Sequence, residues 1–183
     1  MLGNGAKLPL RPARLTCLVI AAMFRTGMAL DWTNRTLTAV VGGIVVAVVV
    51  VVLATRAGMA VAVFACGPVL LALAVAWAMS PREVVVNGGE LCVVRRAWPP
   101  VRVPLAAITE VSTVPGVGVW AIRLFGVGGF FGSYGLFSSA ALGRFRLYAT
   151  RRGPAVMIRR KDDKLPIVIT PDDVPGTIEA LKR

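Results

Sequence analysis

Two long apolar runs, back to back and separated by a single arginine, limit this chain more than anything else in it. Residues 36–55, TLTAVVGGIVVAVVVVVLAT, hold twenty uncharged positions, and residues 57–79, AGMAVAVFACGPVLLALAVAWAM, hold twenty-three. A helix rising about 1.5 Å per residue needs ~20 apolar residues to cross the ~30 Å hydrocarbon core of a bilayer, and both runs meet that length. A chain of 183 residues has too little interior to hide two such segments in a soluble core. Its 16% of charged residues, against about a quarter in an ordinary soluble domain, agrees with a membrane setting. With only Arg56 between the runs, two spanning helices must turn back tightly on each other, so a transmembrane helical hairpin is expected over residues 36–80.

Gly42, Gly43, Ala47 and Ala54 would let the two helices approach closely. Pro68, beside Gly67, marks an expected kink in the second, and Trp77 sits where an indole prefers the interface. Neither run holds an ionisable side chain, which transporters, proton relays and charge-gated channels normally need there, so the hairpin reads as an anchor. The alternative is a small transport or channel subunit whose pore forms by oligomerisation. Arg25 and Arg35 precede the first run and Arg82, Arg95 and Arg96 follow the second, against Arg56 alone in the turn. Basic residues accumulate on cytoplasmic flanks, so both ends are expected in the cytoplasm.

Ahead of the hairpin, LTCLVIAAMF at residues 15–24 follows Lys7, Arg11 and Arg14 in the manner of a secretory signal, but no small-residue cleavage pattern follows before Asp31. Residues 1–35 are therefore expected to form an N-terminal cytoplasmic extension. A signal or a third short membrane segment is the alternative, and Met23 and Met28 offer other start positions.

The net charge of +12 is spread along the chain, with no dense basic block and no nucleic-acid-binding signature, which argues against a nucleic-acid partner. Three cysteines, odd in number and far apart, imply neither a disulfide framework nor a metal site. The chain has no histidine, so Ser-His-Asp and Cys-His mechanisms and H-E-x-x-H zinc sites are excluded. The carboxylates fall mostly at turns and strand ends. No catalytic residue and no cofactor site is expected.

From Pro81 the pattern changes to short β-rich runs separated by turn residues. EVVV and ELCVVRR flank Asn87-Gly88-Gly89, a tight hairpin turn. VRVP, AITEVSTV, RFRLYAT, PAVMIRR and LPIVIT follow, and TPDDVPGTIEALKR closes the chain with a short helix capped by Asp172 or Asp173, its Ile178 and Leu181 facing inward. About seven antiparallel strands followed by one helix is the order of a pleckstrin-homology-like (PH-like) barrel, an all-β domain expected over residues 81–183. LCVVRR (91–96), VPLAAITEV (103–111), GGFFGSYGLFSSAALGRFRLYAT (128–150) and VITPDD (168–173) carry a closer likeness. Through them the chain resembles bacterial PH domain proteins with a two-helix membrane anchor, over roughly residues 28–183. The resemblance implies an integral, multi-pass protein of the bacterial inner (plasma) membrane, its soluble domain cytoplasmic. It also implies a non-catalytic binding or scaffolding module, whose partners are the lipid bilayer and another protein, with homo-oligomers open.

Residues 126–150 hold six glycines and six aromatic rings without one acid. A dinucleotide fingerprint is broken at Phe131. The stretch reads as an ordered cross-connection in which glycines allow sharp bends, Phe131 and Phe137 are buried, and Phe130 and Tyr134 lie nearer the surface as partner or lipid contacts. PH domains often bind phosphoinositides through basic residues at the first hairpin turn, but here that turn is Asn87-Gly88-Gly89 followed by Glu90. Candidate headgroup contacts are instead Arg144, Arg146, Arg151 and Arg152.

Overall fold

The computed structural model describes residues 24–55, 59–116, 121–161 and 164–182. Two long helices come first: α1 (Trp32–Ala54) and α2 (Met59–Met79). Asp31, in extended backbone, caps α1 by accepting a 2.7 Å hydrogen bond from the Trp32 N–H, so the helix starts one turn before the apolar run. Over Trp32–Val52 α1 is long and apolar enough to cross a membrane, and Val40, Ile44, Val48 and Val51 point outward from the chain. In α2 the apolar stretch among the described residues, Cys66–Met79, is shorter, and the helix runs on through Pro68. The expected turn around Arg56 lies outside the described residues. A single potential span is what these residues carry, so the two-span hairpin stays an expectation.

The β region forms two sheets. The first has the order β1 (Phe24–Gly27), β2 (Pro81–Asn87), β3 (Glu90–Arg95), β4 (Val101–Pro104), all antiparallel. The second runs β5 (Ile108–Val114), β9 (Ala155–Arg160), β10 (Ile167–Ile169), β8 (Gly143–Ala149), β7 (Ser133–Ser139), β6 (Ile122–Val127). β10 turns back antiparallel on β9 and inserts between β9 and β8, so it pairs β8 in parallel, and the chain then closes with α3 (Val174–Lys182).

The expected seven-stranded antiparallel barrel therefore needs correction on three counts. The described residues hold ten strands, one pairing is parallel, and the barrel is not closed, since β5 and β6 are unpaired edges of the second sheet. Within the segment expected to be an N-terminal extension, β1 adds an edge to the domain across the helices: Phe24 lies opposite Val86 and Gly27 opposite Glu83. Arg25 secures it with a 2.6 Å ion pair to Glu83, and Met28 just beyond is buried.

The period of two sorts the side chains. Val84, Val86, Leu91 and Val93 from the first sheet meet Val156, Ile158, Ile167 and Ile169 from the second in one core. Their neighbours Phe145, Leu147, Ala155, Met157 and Val168 build a second core on the other face of the second sheet. This explains why β9 and β10 read as unbroken apolar runs: both of their faces are covered. Asp173, not Asp172, caps α3, accepting from the Gly176 N–H at 2.9 Å, and the helix buries Val174, Thr177, Ala180 and Leu181 against the main core.

Candidate membrane-proximal site

The glycine-aromatic stretch holds the end of β6, all of β7 and β8, and the loops between them, and the β6–β7 ribbon meets the bases of both long helices. Its strands cross at the opposed pair Gly126 and Gly135, both with positive φ. A Cβ on either would stand 2.3 Å from a carbonyl oxygen of the facing strand, so no larger residue allows this approach. At the loop, Gly129 (φ +98°) lies under Leu37 of α1, whose Cδ2 is 2.6 Å from where a Cβ would be. Phe131 takes the left-handed φ of +54°, uncommon for a bulky residue, and its N–H donates to Thr38 Oγ1 at 3.2 Å.

Both helices are tied to the sheets through backbone groups. The Thr150 carbonyl at the end of β8 accepts from the Asp31 N–H at 3.0 Å and from Asn34 Nδ2 at 2.9 Å. On α2 the last-turn carbonyls, which lack partners within a helix, are satisfied from the domain side: Ala76 by the Tyr134 phenol, Ala78 by the Ala97 N–H at 2.9 Å. Arg96 N–H adds a 3.0 Å bond to Ser80 O. Burial pushes the Tyr134 phenol up to about 12. It lowers the Arg95 pKa, with the Tyr148 phenol acting in the opposite sense.

Tyr134 is thus not a surface contact. It is 3% exposed and acts as a post between sheet and helix, because alternation puts it on the face of β7 opposite Phe137 and the main core covers that face. Phe137 is buried and stacks on Phe145 at 6.4 Å, as expected, whereas Phe130 and Phe131 are both half-buried in the loop. Of the arginines, Arg151 and Arg152 stand beside α1, where they line a cavity with Asn34, Leu37, Gly128 and Gly129. Arg151 is held by the Pro171 and Asp172 carbonyls, and Asp172 accepts in turn from the Ala29 N–H at 3.1 Å. Arg144 and Arg146 are exposed farther back along β8, and six residues of strand, about 20 Å, separate Arg144 from Thr150. The four arginines do not converge.

Asn34, Leu37, Thr38 and Ala76 went unnoticed as parts of this junction. The signal for Asn34 was the polar stretch TNRT, residues 33–36, at the head of an apolar run. Three exposed indoles lie at the helix ends nearest the domain and in the adjoining turn: Trp32 at the start of α1, Trp77 at the end of α2 and Trp98 between β3 and β4, next to Ala97. The β6 edge, with exposed Ile122, Leu124 and Phe125, runs away from these helix ends, since Ile122 stands opposite Ser138, itself opposite Arg144.

Among the described residues no group of His, Cys, Asp and Glu side chains could hold a metal ion. Comparison with known families matches residues 82–183 to the bacterial PH domain. No curated protein and no solved structure matches the chain. PH domains are typically non-catalytic modules that bind lipids or proteins, and the match spans more than half of the 183 residues, from the second residue of β2 through α3. With this order of strands and closing helix, the chain belongs to the bacterial PH domain family.

Proposed function

We propose that this protein is a membrane-anchored, non-catalytic scaffold of the bacterial inner membrane, in which α1 and α2 form a hairpin of two spans and hold a cytoplasmic PH-like domain against the bilayer. The observation that carries this reading is the rigid junction: a helix of spanning length is bonded at its base to the domain through Asn34 and Thr38, and α2 through Ala76 and Ala78. A flexible tether would leave the domain free in solution, whereas these bonds fix which face meets the lipid. Near the helix bases lie Phe130 and the three indoles, side chains that favour the interface. The rest of the domain is then free to receive a protein partner.

The division into an extension (1–35), a hairpin (36–80) and a PH-like domain (81–183) is part of this proposal, amended by the pairing of Phe24–Gly27 with β2. Membrane fractionation with an alkaline wash, together with reporter fusions after Arg56 and at the C-terminus, tests it. The account expects retention in the membrane, a C-terminal reporter active only as a cytoplasmic one, and the opposite behaviour after Arg56. Release by the wash, or an exported C-terminus, would refute it.

A further inference from the structure

We propose that the cavity between the base of α1 and the second sheet binds the phosphate-bearing headgroup of an anionic phospholipid, an inference that rests on reading α1 as a bilayer span. The cavity, about 240 Å³, opens where Asn34 and Leu37 of α1 face Gly128, Ser133, Arg151 and Arg152. This is severalfold the ~30 Å³ share of one water, room enough for a phosphodiester with part of its glycerol.

Three features point to that ligand. The first is charge: two guanidinium groups line the cavity and no acid does, while Arg123 lies over its Gly128 wall, its Nη1 3.3 Å from where a Cβ would sit. A headgroup amine would find no carboxylate in the lining, so the chemistry favours an anionic headgroup over a zwitterionic one. The second is unused donor capacity. Arg152 is exposed and makes no ion pair among the described residues, whereas Arg151, paired with Asp172 at 3.8 Å and bonded to two carbonyls, serves as a fixed positive wall. Phosphate oxygens are the acceptors an arginine fork fits best. The third is continuity with the lipid-facing helix. Leu37, Val40 and Ile44 are exposed at spacings of three and four residues, which puts them on one face of α1, a path for acyl chains that begins at the cavity rim. The hairpin turn at Asn87, used for headgroups in other PH domains, is at the far end of β2 from α2, about 20 Å away along the strand.

The test uses the full chain, released from nanodiscs made with equal amounts of phosphatidylglycerol and phosphatidylcholine, with retained lipids counted by native mass spectrometry. Each cation near an anionic bilayer strengthens attachment by about fivefold. The intact protein is expected to retain phosphatidylglycerol preferentially. Arg152→Gln should cut that preference by about fivefold and a further Arg123→Gln by a similar factor, while Arg144→Gln, outside the cavity, leaves it unchanged. Equal retention of the two lipids, or a loss with Arg144→Gln as large as with Arg152→Gln, would overturn the site. Displacement of the lipid by millimolar inorganic phosphate would also overturn it, by marking a soluble-anion site. Stable incorporation without lipid preference would remove this inference and leave the anchor reading intact, whereas failure to enter nanodiscs of any composition would remove both.

Discussion

The phenol of Tyr134, near the start of β7 beside the edge of the second sheet, donates its hydrogen bond to the main-chain carbonyl of Ala76, in the last turn of α2. One side chain thus completes a helix end and fixes the angle at which that helix leaves the domain. Tyr134→Phe keeps the ring and removes the donor, leaving a buried carbonyl unpaired, and is expected to destabilise the chain by about 1–3 kcal/mol. The effect depends on pH. The native state holds the phenol at about 12, above its ordinary value near 10, so the fold favours the protonated form. That contribution is complete below about pH 10 and is lost as pH rises toward about 12. Melts of the full chain in detergent should show the gap between wild type and Tyr134→Phe closing over that window. A gap independent of pH would contradict the buried bond.

A second expectation concerns the crossing of β6 and β7. Gly126→Ala places a Cβ 2.3 Å from the Tyr134 carbonyl oxygen in a backbone conformation that alanine avoids, and backbone cannot yield as a flexible side chain can. Gly88→Ala meets the same kind of conformational penalty in open space. Thermal melts should show Gly88→Ala costing about 1 kcal/mol and Gly126→Ala at least 3 kcal/mol, with loss of the Tyr134 contact. Equal losses would mean that the crossing is not where the ribbon is constrained.

Much of the β region was legible because period-two patterning and turn residues act locally: the hairpin at Asn87-Gly88-Gly89 and strands β4, β5, β8, β9 and β10 lie where their residues placed them. What sequence reading missed depends on distant partners. Phe24–Gly27 is too short and mixed to signal a strand, and it becomes one only because β2 offers an open edge after an excursion through two helices. β6 and β7 were hidden by glycines that read as loop residues, since the reason for Gly126 is Gly135 on the opposite strand. Tyr134 was assigned to the surface from alternation, which does hold along β7: Tyr134 and Phe137 face opposite sides, but a core covers each of them. The site was partly visible in Arg151 and Arg152, but its other wall, Asn34 and Leu37, belongs to the helix and joins them only in the folded chain.

The edge strand itself gives a third test. A chain beginning at Met28 lacks β1 and the partner of Glu83, and exposes the edge of β2 to solvent. Compared with a chain beginning at Met23, it should melt several degrees lower and aggregate more readily, as an uncovered edge invites pairing between copies. Identical melting and solubility would show that β1 adds nothing to the domain.

The central claim is that the glycine-aromatic loop rests at the bilayer surface because α1 and α2 hold it there, and depth measurement tests this most directly. Spin labels at Phe130→Cys and Gly88→Cys, in a background with Cys17, Cys66 and Cys92 replaced, report their immersion through the ratio of collisions with oxygen and with a water-soluble nickel complex. Thr38, bonded to Phe131, is six residues along α1 from Trp32, about 9 Å up the helix, while Gly88 ends the hairpin that points away from α2. The account predicts the label at 130 at the boundary of headgroups and acyl chains and the label at 88 fully in water. Two labels equally exposed to water, in a protein that is nonetheless embedded in the vesicle, would contradict it.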